Sequence, residues 1–110
     1  MLNLKKLLTK ILSAMTNPLA VRTFTYDSLN IEIYVYPAKL RVARVYSTQS
    51  ITQSAVGWTN VGAYADGLAT CTILADSGLR VGLRANNGQL QILIPSQISG
   101  WFVGATATVI

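Results

Sequence analysis

The residues of this chain that could do acid–base chemistry are four carboxylates: Asp27, Glu32, Asp66 and Asp76. The three aspartates stand beside serine or glycine in turn-like contexts, where an aspartate typically bonds its own backbone. A glycosidase-type pair needs two carboxyl groups about 5–10 Å apart, and no spacing in the sequence indicates such a pair. The chain has no histidine, which excludes imidazole metal ligands and a histidine base. The carboxylates therefore predict turns rather than a catalytic centre.

Other motifs of catalysis are also missing from the sequence. The single Cys71 can form neither an intrachain disulfide nor a zinc cluster, and a buried thiol is expected because free cysteine is usually buried. There is no G-x-S-x-G nucleophile elbow and no glycine-rich phosphate loop. We therefore predict no catalytic residue, no metal and no cofactor, and a protein that is not an enzyme.

Aromatic residues offer a binding face instead. Tyr34 and Tyr36 alternate with apolar residues along one segment, and Arg41 and Tyr46 belong to the next. If the two segments pair through a turn at Pro37, these four residues form an aromatic face with a nearby guanidinium. Such a face could stack on sugar rings, and ordinary cross-strand packing of aromatics is the alternative.

The elements that must position these side chains are short strands. From residue 20 onward apolar and polar residues alternate, as in half-buried strands, and Asn86-Asn87-Gly88 is the clearest hairpin signal because Asn and Gly accept positive φ. The predicted strands are 21–26, 30–36, 40–46, 58–61, 68–74, 79–85, 90–94 and 101–110, with 47–54 as a loop or solvated edge strand. This spacing predicts a mainly β protein, with one antiparallel β-sandwich over residues 20–110, jelly-roll-like, or a small closed sheet.

Residues 1–16 have a helical pattern instead. Their apolar side chains recur at spacings of three and four, as in a coiled coil, and Asn17-Pro18 ends the segment. Two heptads are marginal alone, so this helix is predicted to align an oligomer that the rest of the chain also holds together. The predicted oligomerisation residues are Met1, Leu4, Leu8, Ile11, Leu12 and Met15. A helix packed on its own domain, a membrane-interfacial helix and a signal peptide are the alternatives.

Composition favours surface buried between copies of the chain. Hydrophobic residues make up 51% and charged residues 12%, whereas about 25% is usual for charge. The net charge is +5, but without a basic run no nucleic-acid partner is expected, and without an apolar run of about 18 residues no membrane span is expected. Residues 101–110 are apolar on both faces, which predicts a central strand or a strand at a subunit contact. Trp58 and Tyr64 are a second candidate pair, either for ligand contact or as core or interface anchors.

The opening MLNLKKLLTKILSAM resembles the start of small proteins from phage and prophage tails of Firmicutes, and the ending ISGWFVGATATVI is similar in style. The resemblance implies a non-enzymatic structural, fibre-tip or receptor-binding-like protein. It further implies a homotrimer in which a short three-helix bundle carries compact β heads. Other tail proteins and a host-surface glycan would be its partners, and the virion, or the bacterial cytoplasm before assembly, its location. The middle region, residues 47–78, carries no motif that matches this family.

Two other functions stay open at this stage. The same amphipathic helix would suit a membrane-interfacial protein, because its lysines could face lipid headgroups. An envelope-degrading hydrolase would require two of the four carboxylates to lie close together.

Overall fold

The computed structural model describes the backbone of residues 17–109 and their side chains, except those of 53–55, 96–98 and 107–109. The strands are β1 (Ala20–Tyr26), β2 (Leu29–Val35), β3 (Leu40–Ser47), β4 (Ile51–Ala63), β5 (Cys71–Leu74), β6 (Arg80–Asn86), β7 (Gln89–Gly100) and β8 (Val103–Val109). The described residues contain no helix. The predicted helix at 1–16, with its six oligomerisation residues, lies outside the described residues.

The strands form two four-stranded antiparallel sheets that share one core. The first sheet has the order β1-β2-β3-β8 and the second the order β4-β7-β6-β5. The prediction of a mainly β, sandwich-like fold is therefore confirmed. In the second sheet β4 lies beside β7 of the β5-β6-β7 meander, which is a Greek-key order. The first sheet is a meander extended by β8, so the strand order differs from the two Greek keys of the expected jelly roll.

Alternation of side chains places one face of each strand in the core. Along β2 the fully buried Leu29, Ile31 and Ile33 alternate with partly exposed residues. Leu83 of β6 and Ile92 of β7 are buried in the same way in the second sheet. Each such side chain stabilises the fold by about 1.5–3 kcal/mol relative to exposure.

Tight turns set the register of the hairpins. Asn87 and Gly88 have φ of 51° and 74° and join β6 to β7 as a two-residue loop, so the predicted hairpin is confirmed. The loop between β2 and β3 is one residue longer, with Pro37, Ala38 and Lys39 between the paired residues, and has φ of 57° at Ala38 and 62° at Lys39. Alanine and lysine disfavour this conformation by about 1–2 kcal/mol per residue. The second turn is therefore strained, whereas the first is not.

The two sheets also approach each other along their edges. Ala75, just after β5, forms an isolated antiparallel bridge with Gly104 of β8. A Cβ at Gly104 would lie 2.8 Å from the Leu74 carbonyl oxygen, so this approach requires glycine. On the other side Phe24 of β1 packs over Gly62 of β4, where a Cβ would lie 3.0 Å from its ring.

The two connections that cross between the sheets are joined at their base. The Ser47 amide donates a hydrogen bond of 2.7 Å to the Phe102 carbonyl, and the Phe102 amide donates one of 2.9 Å to the Ser47 hydroxyl. The Phe102 side chain is fully buried. These two hydrogen bonds join the β3–β4 connection to the β7–β8 connection, and we call this pair of residues the Ser47–Phe102 clasp.

For residues 47–54 the sequence left a loop or a solvated edge strand open, and the structure contains both. Residues 48–50 form a loop, and residues 51–54 belong to β4, an edge strand that runs for 13 residues from Ile51. Pairing with β7 keeps β4 continuous across several register shifts. The strand expected at 90–94 extends to Gly100. Strand β8 occupies a sheet edge and Val103 is 48% exposed, so the central strand expected at 101–110 is wrong, whereas the alternative of a strand at a subunit contact stays a prediction.

Candidate functional site

The predicted face of Tyr34, Tyr36, Arg41 and Tyr46 is divided in the structure. Tyr34 and Tyr46 lie on the outer face of the first sheet and are partly exposed. Tyr36 and Arg41 are buried, with exposures of 8% and 7%. Arg41 pairs with Val35, whose side chain points inward, so the strand directs the guanidinium to the core side. The expectation that all four residues share one surface is wrong.

Arg41 instead links two segments of backbone. Its Nη1 donates to the carbonyls of Tyr36 and Leu40 at 2.9 and 2.8 Å. Its Nη2 donates to the Asp66 carbonyl at 2.6 Å, and its Nε lies between the carbonyls of Asp66 and Gly67 at 3.2 and 3.1 Å. The guanidinium therefore ties the β2–β3 turn to the loop after β4.

The outer face of the first sheet has an ion pair at its centre. Arg44 Nη1 donates to Glu32 Oε1 at 2.8 Å, and its guanidinium carbon lies 4.0 Å from the centroid of the Tyr46 ring. The Tyr34 hydroxyl donates to the same Glu32 oxygen at 3.1 Å. Desolvation, with a smaller contribution from this hydrogen bond, raises the pKa of Tyr34 above its usual value. The polar groups of this face are thus directed at one another.

Apolar side chains and the threonines of β1 lie around this ion pair. Val21 and Val103 are exposed at the two edge strands, while Val42 lies between them in the sheet. We call this surface the first outer face; it consists of Val21, Thr23, Thr25, Asn30, Glu32, Tyr34, Val42, Arg44, Tyr46, Val103 and Ala105. Four strands spaced about 4.8 Å apart, each with about six residues of roughly 3.3 Å, give it an area of about 400 Å².

The second sheet carries a different cluster on its outer side. The tip of Trp58 lies over Gly82, where an added Cβ would be 3.1 Å from the indole. The Arg84 guanidinium carbon lies 4.4 Å from the centroid of the Trp58 ring. Arg84 Nε donates to Gln91 Oε1 at 2.7 Å, and Gln91 Nε2 donates to Asn60 Oδ1 at 2.8 Å. We call Trp58, Asn60, Arg84 and Gln91 the second outer cluster.

A shallow cleft of about 340 Å³ lies where β1 approaches the end of β4, with Arg22 and Asp66 in its wall. Arg22 Nε and Asp66 Oδ2 form an ion pair of 2.8 Å. Tyr64 also lines the cleft, and its hydroxyl donates to the Gly67 carbonyl at 2.8 Å. Burial raises the pKa of Tyr64 above its usual value. The polar groups of the cleft therefore bond one another, and Tyr64 anchors the wall of the cleft.

The four carboxylates occupy four different settings. Glu32 pairs with Arg44, and Asp66 pairs with Arg22. Asp27 and Asp76 are exposed in turns after β1 and β5. Within residues 17–109 there is no group of three His, Cys, Asp or Glu side chains that could hold a metal ion. The described part of the chain also has no helix with the length and apolarity to cross a membrane.

Comparison with models of protein families, with curated proteins and with solved structures finds no match to this chain.

The second outer cluster could have been found more fully from the sequence. The sequence pattern pairs Trp58 with Tyr64, but Tyr64 lies at the cleft. Arg84 and Gln91 are equally distant from the Asn87-Gly88 turn, so a two-residue hairpin places them directly opposite each other. The positions of Trp58 and Asn60 beside these two residues could not be predicted, because the pairing of β4 with β7 includes register shifts at three places.

Proposed function

We propose that this protein is a non-enzymatic structural component that assembles with copies of itself, as the resemblance to phage and prophage tail proteins implies. The observation that carries the proposal is the first outer face. Its one acid and one base, Glu32 and Arg44, neutralise each other at 2.8 Å, and its other side chains are apolar or uncharged. Copies of the same face can therefore meet without charge repulsion.

The first outer face is too small to form an oligomer interface by itself. A specific interface buries about 800 Å² per partner, whereas the first outer face has about 400 Å². The predicted helix at residues 1–16, with its apolar stripe through Leu4, Leu8 and Ile11, would supply the remainder. In a homotrimer the three helices would form a bundle, and the three first outer faces would be directed towards the same axis.

The mass of the protein in solution tests assembly. Light scattering coupled to size-exclusion chromatography should give about 36 kDa for a trimer of the 11.9 kDa chain. Val103→Lys should shift the mass towards the monomer, because it places a charge in the first outer face. Val56→Lys is the matched control, since Val56 is 85% exposed in the second sheet. A wild-type protein that is monomeric at micromolar concentration would contradict the proposal.

Attachment to a host-surface glycan is the second part of the proposal. Tyr34 and Tyr46 would be the contact residues only where the first outer face stays accessible after assembly. A glycan array gives the direct test of attachment. Tyr34→Ala tests the first outer face as its site, and a loss of signal is expected only if this face stays accessible after assembly. Unchanged binding by this variant would show that any glycan site lies elsewhere on the protein.

A further inference from the structure

The second outer cluster has an unbalanced charge. The strands of the second sheet contain Arg80 and Arg84 but no Asp or Glu. Arg84 bonds an amide oxygen rather than a carboxylate, and neither of its terminal nitrogens donates a hydrogen bond within the described residues. The amide nitrogen of Asn60 has no acceptor among those residues either. The surface therefore offers several donors and a positive charge to an incoming group.

The backbone around Trp58 is shaped to present this side chain. Between Ala55 and Thr59, β4 advances four residues while β7 advances two, so Trp58 lies within a bulge of β4 at residues 56–58. Bulges of this kind redirect a side chain and are common beside functional sites. On β6, beyond the intervening β7, Gly82 leaves the space that the indole tip occupies. Two separate features of the chain thus hold the indole on the outer side of the sheet.

We propose that the second outer cluster binds an anionic saccharide. The apolar face of a sugar ring would stack on the partly exposed indole of Trp58. A carboxylate or sulfate on the sugar would accept hydrogen bonds from the terminal nitrogens of Arg84, which form strong, charge-assisted pairs with such groups. The amides of Asn60 and Gln91 would bond ring hydroxyls, since an amide both donates and accepts.

A single-stranded nucleic acid is the other ligand that stacks on aromatic rings and pairs with arginine. Such strands are bound along a positively charged groove with successive aromatic side chains. The outer side of the second sheet has one tryptophan and two arginines in its described strands, with a short row of amides beside them. This pattern matches a short sugar unit better than a phosphate chain.

The ligand class rests on the proposed function in one respect: assembly through the first outer face would leave the second sheet exposed. The glycan part of that proposal is thereby given a chemical class and a place outside Tyr34 and Tyr46. Light scattering on the same samples separates the two ideas. A monomer that binds the saccharide would contradict assembly alone, and an oligomer that does not bind would contradict the saccharide site alone.

Fluorescence titration of a Trp101→Phe protein, in which Trp58 is the remaining indole, gives the test. The probes are a galacturonate tetrasaccharide, a heparin-derived tetrasaccharide, neutral maltotetraose and an eight-residue oligothymidylate. We expect saturable binding of at least one anionic saccharide, at least tenfold tighter than maltotetraose. Arg84→Gln should weaken it at least tenfold, whereas Lys39→Gln, which removes a distant exposed charge, should change it less than twofold.

Unchanged affinity of both Arg84→Gln and Trp58→Ala would overturn the assignment of the site; the affinity of Trp58→Ala is measured by isothermal titration calorimetry, because this variant lacks the reporter indole. Equal affinity for maltotetraose would overturn the anionic class, and tighter binding of oligothymidylate would replace the saccharide by a nucleic acid. If neither anionic saccharide binds, the proposal as a whole is overturned. Trp58→Ala removes packing over Gly82. If this variant does not fold, the Arg84→Gln result alone decides.

Discussion

Replacing Arg41 with methionine removes the guanidinium that ties the β2–β3 turn to the loop after β4. Four carbonyls lose this donor, but those of Leu40 and Gly67 keep another hydrogen bond. The carbonyls of Tyr36 and Asp66 are then left without a donor among the described residues. An unsatisfied buried polar group costs about 1–3 kcal/mol, so the free energy of unfolding should fall by about 2–4 kcal/mol.

Urea unfolding followed by circular dichroism measures this loss. For a domain of this size, a loss of 3 kcal/mol corresponds to a drop in Tm of about 12 °C. Arg41→Lys should lose about half as much, because one ammonium cannot reach both backbone segments. Arg80→Met is the matched control at an exposed site and should change stability by less than about 0.5 kcal/mol. If Arg41→Met falls within 1 kcal/mol of the wild type, the structural role assigned to this guanidinium is refuted.

Ala38→Gly should raise the free energy of unfolding by about 0.5–1 kcal/mol, since it relieves a positive φ; an unchanged Tm would argue against strain in this turn. Gly104→Ala should lower stability by about 1–3 kcal/mol because its Cβ would meet backbone at 2.8 Å. Gly57→Ala, where no atom lies within 4 Å, is its control in the same urea titration, and equal losses would contradict this explanation. The pKa of Tyr64 is raised in the folded state. The protonated phenol therefore contributes fully to the free energy of unfolding below about pH 10, and this contribution is lost as the pH rises through the folded pKa. Tyr64→Phe should therefore flatten the alkaline side of a Tm-versus-pH curve, and a curve unchanged in shape would contradict this.

The hairpins were predictable from single residues, whereas the long strands were not. Asn87 and Gly88 are the residues that a two-residue turn requires, so they determined both the turn and the register beside it. In β4, Gly57 and Asn60 interrupt the alternation of polar and apolar residues. The strand exists because β7 pairs along its length, and this distant pairing leaves no local pattern in β4 itself.

The prediction of one shared binding face was wrong because β3 has no clear apolar side. Each of its two faces carries one arginine, so the alternation alone does not determine which of them points inward. The turn at Ala38 and Lys39 sets Arg41 opposite Val35, and the inward direction of β2 then decides the matter. Arg44, opposite Glu32, becomes the arginine of the outer face.

The Ser47–Phe102 clasp has a consequence for the order of folding. It holds β8 beside β3, where Leu40 pairs with Val109 across about 70 residues of chain. Contacts this distant in sequence carry a large loop-closure entropy and slow the search for the native state, typically to milliseconds or seconds in all-β domains. The β5-β6-β7 meander closes through short loops and can form early. During synthesis, the edge of β3 that receives β8 stays unpaired until β8 has left the ribosome, which exposes the nascent chain to edge-to-edge association.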